Sequence, residues 1–232
     1  MAVPPETNEA FLREVDEELR RDELARLWKR WGLVLIAVIV VGLIALAAFL
    51  WWRSHQAQQA GLEGEKLTAA IDQLSSGQTD QALPALRELS KSPRSGYRAA
   101  AQLAMGAIDS QKDPKAAIAA FAAVAKDESI AKPFRDLALI RQTTMEFDTL
   151  SPDQVIARMK PLAQKGSPWF GSAGELTAVA QLKAGRPTEA GATFAALVAD
   201  PGVPASIRSR AAQMASVLGV SVNPVAQPSL PR

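Results

Sequence analysis

The side chain best suited by type to acid–base chemistry is His55, the sole histidine among 232 residues. An imidazole titrates near neutral pH, which fits a general base. Such a base needs a nucleophile to activate and a carboxylate to orient it. The sequence around His55 offers no buried carboxylate, although a fold could supply one. We read His55 as an interfacial polar residue. One histidine leaves no histidine pair for a metal. The absence of cysteine excludes disulfides, thiol catalysis, iron–sulfur clusters and zinc sites built on thiolates. It does not fix the compartment, because a cysteine-free chain suits reducing and oxidising space alike. The acidic pair Asp127-Glu128 falls in a turn and reads as solvated. No P-loop, HExxH or pre-strand GxGxxG occurs. No catalytic, metal or cofactor residue is therefore assigned. The expectation is a protein that binds rather than catalyses and needs no cofactor.

Composition narrows the class further. Lys plus Arg number 26 against 24 Asp plus Glu, a net charge of +2, so nothing electrostatic points to nucleic acid. A hydrophobic content of 48% is too high for a disordered chain.

Much of that apolar content lies in one run. No charge interrupts residues 31–52. As a helix, the stretch from Gly32 to Trp52 rises about 31 Å, close to the ~30 Å hydrocarbon core of a bilayer. Thirteen of its residues are Leu, Ile, Val or Phe. Together they favour insertion by roughly 4–8 kcal/mol. Trp31 at one end and Trp51 and Trp52 at the other suit the two membrane interfaces, as do the flanking Lys29, Arg30 and Arg53. The run is too long for a cleaved signal peptide and follows a charged tail, so it reads as an uncleaved signal anchor. Arg20, Arg21, Arg26, Lys29 and Arg30 outnumber Arg53 and Lys66 across it. The positive-inside rule then keeps the N-terminus cytoplasmic and exports the rest. No two small residues in the span lie four apart, so no small-xxx-small face marks it for self-association.

Before the span, residues 8–30 read as a helix, with Phe11, Val15 and Leu19 on one stripe and acid-before-base pairs such as Asp16–Arg20. Thr7 or Asn8 is a candidate cap.

After Arg53 the chain becomes alanine-rich, with breakers such as Ser76-Gly77, Lys112-Asp113-Pro114, Ser151-Pro152 and Gly185-Arg-Pro187 at helix-length intervals. Three segments repeat one spacing: Ala70/Ala82/Leu86, Gly106/Ala117/Phe121 and Ala178/Ala190/Phe194. The Ala82-to-Ala117 step of 35 residues is the period of tetratricopeptide-type helix pairs. In such a pair two small residues let the helices approach, and a bulky one fills the next groove. The unit from Lys132 to Lys165 is degenerate, with Val155, Met159 and Leu162 on the corresponding face. Four helix pairs and a capping helix near residues 204–218 are expected. The fold class is all-α: a single N-terminal transmembrane helix followed by a tetratricopeptide-like α-solenoid. Its parts are a charged tail (1–30), the anchor (31–52), the repeats (53–218) and a proline-bearing disordered tail (219–232).

A solenoid presents an extended concave face to other polypeptides. Tyr97, Arg98, Gln102, Arg135 and Arg141 are candidates for it by position. Trp169 reads as core packing first and as an exposed binding anchor second.

The order of parts, the junction Trp52-Arg-Ser-His-Gln56, the motif Gly166-x-x-Trp169 and the turn Leu182-Lys-Ala-Gly185 resemble the YfgM-like family of ancillary SecYEG translocon subunits. The cytoplasmic tail is longer and more charged than in that family. The resemblance implies a bacterial inner-membrane protein with periplasmic repeats. It implies association with the SecYEG translocon and a PpiD-like membrane-anchored chaperone, and a role in handing over exported proteins. The alternative is an envelope-assembly or cell-division scaffold.

Overall fold

In the computed structural model the described residues are 6–221, with side chains from residue 28 onward. The candidate stripe and charge pairs of residues 11–27 and the expected tail from 222 lie outside the described side chains. The chain divides into two compact units, residues 1–61 and 62–232. The described residues form nine helices and no strand.

The first unit is the greater part of α1 (Glu6–Ser75). A helix satisfies its own backbone hydrogen bonds, which an apolar run of this length requires wherever water is absent. From Leu33 to Trp52 every side chain is exposed. The helix is long and apolar enough to cross a membrane. Gly32, by contrast, is buried, because the Trp28 indole lies across it.

The second unit begins with the last turns of α1, from Leu62, and continues with α2 (Thr79–Leu89), α3 (Ser95–Lys112), α4 (Pro114–Lys126), α5 (Lys132–Met145), α6 (Pro152–Met159), α7 (Phe170–Lys183), α8 (Pro187–Ala199) and α9 (Ala205–Val217). These are four antiparallel-type pairs and a final helix. Local chemistry sets their ends. Gly77 and Gly185, both at positive φ (75° and 72°), close the first helix of their pairs. At each, the glycine N–H reaches back three residues and the next N–H five, both to carbonyls of the preceding helix. That double closure is the Schellman motif. Between α3 and α4 no glycine is needed. Asp113 ends one helix and caps the next, its carboxylate accepting from Ala116 N–H at 3.1 Å. This explains why that unit's turn is one residue shorter. Ser151 and Gln154 form a reciprocal capping box at the start of α6, followed by Pro152 at its first position.

The core is not one mass but four successive clusters. Each joins three helices consecutive in the chain: α1–α2–α3 around Ala70, Leu86 and Ala101; α3–α4–α5 around Ala99, Val124 and Ala138; α5–α6–α7 around Ile140, Met159 and Ala173; α7–α8–α9 around Phe194, Leu197 and Ala211. First helices of successive pairs also touch, α3 with α5, α5 with α7 and α7 with α9. The second helices α2, α4, α6 and α8 do not touch one another. Helices crowded on one side and splayed on the other bend the stack, so α3, α5, α7 and α9 line its inner face.

Candidate functional site

The repeat-packing residues occupy the helix contacts. Ala70, Ala82, Leu86, Ala117, Ala178 and Ala190 have no exposure, and Gly106, Phe121 and Phe194 are buried. The degenerate unit obeys the same rule. Thr143, Val155 and Met159 are all buried and keep the intervals of Ala178, Ala190 and Phe194. The small position is filled by a threonine whose hydroxyl donates to Leu139 O at 2.7 Å, so its polar atom is satisfied inside the helix.

The partner-binding candidates separate into two sets. Arg98 is a latch: its guanidinium donates to Ser92 O and Ser129 Oγ, both at 2.8 Å, and lies 3.7 Å from Asp127. It ties the turn before α3 to the turn before α5. The Ser129 hydroxyl and amide, both donating to Asp127, hold that carboxyl below its ordinary range, with Arg98 adding to the effect. Tyr97 packs on the first core cluster, and Gln102 donates to Ser90 O at 3.5 Å. Arg135 is half-buried, with Nε enclosed. Of these four, Arg98 and Gln102 are hydrogen-bonded within the repeats and Tyr97 packs on their core.

Arg141 and Trp169 come together. They line one groove of about 640 Å³ on the inner face, between α5, α7 and α9. That volume is typical of a ligand site. Leu137, Ile140 and Arg141 reach it from one stripe of α5, and Leu176 and Val179 from α7. The degenerate unit opens it. α5 and α6 are joined by six residues instead of a tight turn, which brings Phe147 and Asp148 to the rim. Lys183 fixes that wall: its ammonium sits 5.2 Å from the Phe147 ring centroid, 3.3 Å from Phe147 O and 3.4 Å from Asp148. Opposite, Arg210 grips Glu175 through two parallel bonds of 2.8 Å, which raise the arginine above its ordinary pKa. Arg141 is exposed and has no ion-pair or hydrogen-bond partner among the described residues.

A second, smaller hollow of about 330 Å³ lies between Leu67 of α1, Tyr97 and Ala100 of α3, and Phe134 of α5. Phe134, Leu137 and Arg141 follow each other at helical spacing, so both hollows open along the same stripe of α5. Sequence reading missed Phe147, Glu175 and Val179. Their only signal is position on first helices, which is shared with ordinary surface residues.

In the first unit, Trp31, Trp51 and Trp52 are exposed, as are Lys29, Arg30 and Arg53. His55 stacks flat on Trp51, with ring centroids 5.8 Å apart and 12° between planes. No group of three or more His, Asp or Glu side chains converges among the described residues.

A family model described as a tetratricopeptide repeat-like domain matches residues 26–213, taking in the last few residues before the apolar run, the run itself and the helix pairs. No curated protein and no solved structure matches the chain.

Proposed function

The chain belongs to the tetratricopeptide repeat-like domain family, and from that premise we propose that it is a non-enzymatic, membrane-anchored scaffold that holds polypeptides in the inner-face groove of its repeats. The observation that carries this reading is the groove itself: walls from α5 and α7 that mix apolar and polar side chains, an aromatic rim at Phe147 and Trp169, and an unpaired Arg141. Apolar anchors with a few placed polar groups are how proteins hold peptide side chains.

The charge-free run flanked by Trp31, Trp51 and Trp52 anchors the chain in the bilayer. The cationic excess before it, from Arg20 to Arg30, keeps the tail cytoplasmic and puts the repeats in the periplasm of a bacterial inner membrane. Resemblance to the YfgM-like family supports association with SecYEG and a PpiD-like chaperone, with exported chains as clients. Residues 1–30, 31–52 and 53–218 then serve as tail, anchor and binding domain.

The test is recovery of partners by the tagged full chain from membranes in mild detergent. SecY and a periplasmic chaperone are expected, with less chaperone or client recovered by Val179→Gln, an exposed groove position. Recovery of neither from wild type defeats the translocon reading. Protease added to spheroplasts should digest the repeats and spare the tail; protected repeats would reverse the orientation.

A further inference from the structure

We infer that the tail-side end of the apolar span holds an anionic phospholipid, with its phosphate on Lys29 and Arg30 and one acyl chain in a hollow below Trp31. The inference rests on the reading of this run as a bilayer anchor and names the lipid class that the anchor meets. A hollow of about 410 Å³ runs along α1 between Trp31, Val34, Leu35, Val38 and Ile39. These residues recur at i, i+3, i+4, i+7 and i+8, so they form one stripe of the helix. From Trp31 to Ile39 the helix rises about 12 Å, most of the ~15 Å that one leaflet contributes to the hydrocarbon core. An acyl chain lying along the helix matches that depth. Trp28 lies across Gly32 and leaves the upper wall of the hollow to Trp31.

Charge chooses among lipids. Arg30 precedes Val34 by four residues and so stands one turn above the stripe, with Lys29 beside it. Both are exposed, and neither has an ion-pair or hydrogen-bond partner among the described residues. No Asp or Glu occurs between Glu23 and Glu63, so the sequence near the hollow offers these cations no neighbouring acid. Their long stems can follow the apolar surface while the charged heads reach the headgroup level. A guanidinium accepts a phosphate through two parallel N–H bonds, and the adjacent ammonium adds a second positive charge. A zwitterionic lipid brings an ammonium of its own, which these two cations repel. A lipid with a net negative charge brings none. At the other end of the span Arg53 is the one Lys or Arg before Lys66, so that end lacks the paired cations.

Native mass spectrometry of the full chain in detergent, mixed with equal amounts of phosphatidylglycerol and phosphatidylethanolamine of the same acyl chains, tests this. Wild type should retain phosphatidylglycerol in preference. The preference should fall about fivefold for each of Lys29→Gln and Arg30→Gln and disappear in the double variant. Arg53→Gln should leave it unchanged. Val38→Trp, which keeps the span apolar while filling the hollow, should lower retention of both lipids. Excess glycerol 3-phosphate should not displace the lipid, since it leaves the hollow empty. Lipid retained without headgroup preference, or a preference that survives the double variant, overturns the inference and leaves the anchor reading intact. Retention untouched by Val38→Trp, or displacement by glycerol 3-phosphate, overturns the acyl half of the site. A chain that retains no lipid and stays in solution without detergent defeats the anchor reading and this inference together.

Discussion

At Gly106 an added methyl group would lie 2.8 Å from a ring carbon of Phe121, itself buried on α4. A buried ring cannot swing aside as an exposed chain end does. Gly106→Ala should therefore destabilise the repeats by about 1–2 kcal/mol, the overpacking cost exceeding the better helix propensity of alanine. Urea unfolding followed by circular dichroism measures this. The cost should disappear when Phe121 is first cut to Ala, a change that itself removes about 3–5 kcal/mol. An equal cost in both backgrounds would place the effect elsewhere. Asp127 makes a second prediction at this scale. Its carboxyl is held low by Ser129 and then Arg98 in the folded chain. Its stabilisation is complete above the ordinary carboxylate range and is lost as pH falls through the lower folded value. Stability should thus fall more steeply with acidification in wild type than in Asp127→Asn, and parallel curves would refute the link. Sequence reading placed Asp127 in a turn as a solvated residue; its pairing with Ser129 and Arg98 needed the turn's actual shape.

At the scale of elements, helix ends repeat less strictly than helix faces. Gly77 and Gly185 end the first helices of two pairs at positive φ, Asp113 does the job by capping, and the third pair uses a six-residue connection. Gly185→Ala should cost about 1–2 kcal/mol through left-handed backbone strain, whereas Gly96→Ala, with open space around it and ordinary φ, should be neutral or slightly stabilising. Thermal unfolding of both variants decides; similar losses would mean that the turn is not strained. The breakers made these ends legible in the sequence. The consequence of the third pair's longer connection was not, because the spacing of Thr143, Val155 and Met159 hides behind a threonine and a valine where the other pairs hold alanine or glycine.

For the repeat unit as a whole, the division of the core into four clusters limits cooperativity. Each cluster binds only neighbours, so stability is approximately a sum of local terms. Phe194→Ala should raise amide exchange in α7, α8 and α9 far more than in α2 and α3. Uniform acceleration along the chain would show that the solenoid unfolds as one body.

The sequence alone determined the helical class, the apolar rod and the pairing of small with bulky residues, because these depend on composition and on periods of 3.6 and about 35 residues that local steric rules dictate. It could not separate the latch arginine, Arg98, from the free one, Arg141, since both are cations on first helices. Only tertiary structure decided that. Whether a charge is spent or available depends on which carboxylates the stacking of distant helices brings within reach, and Arg210 takes Glu175 from a helix 35 residues away.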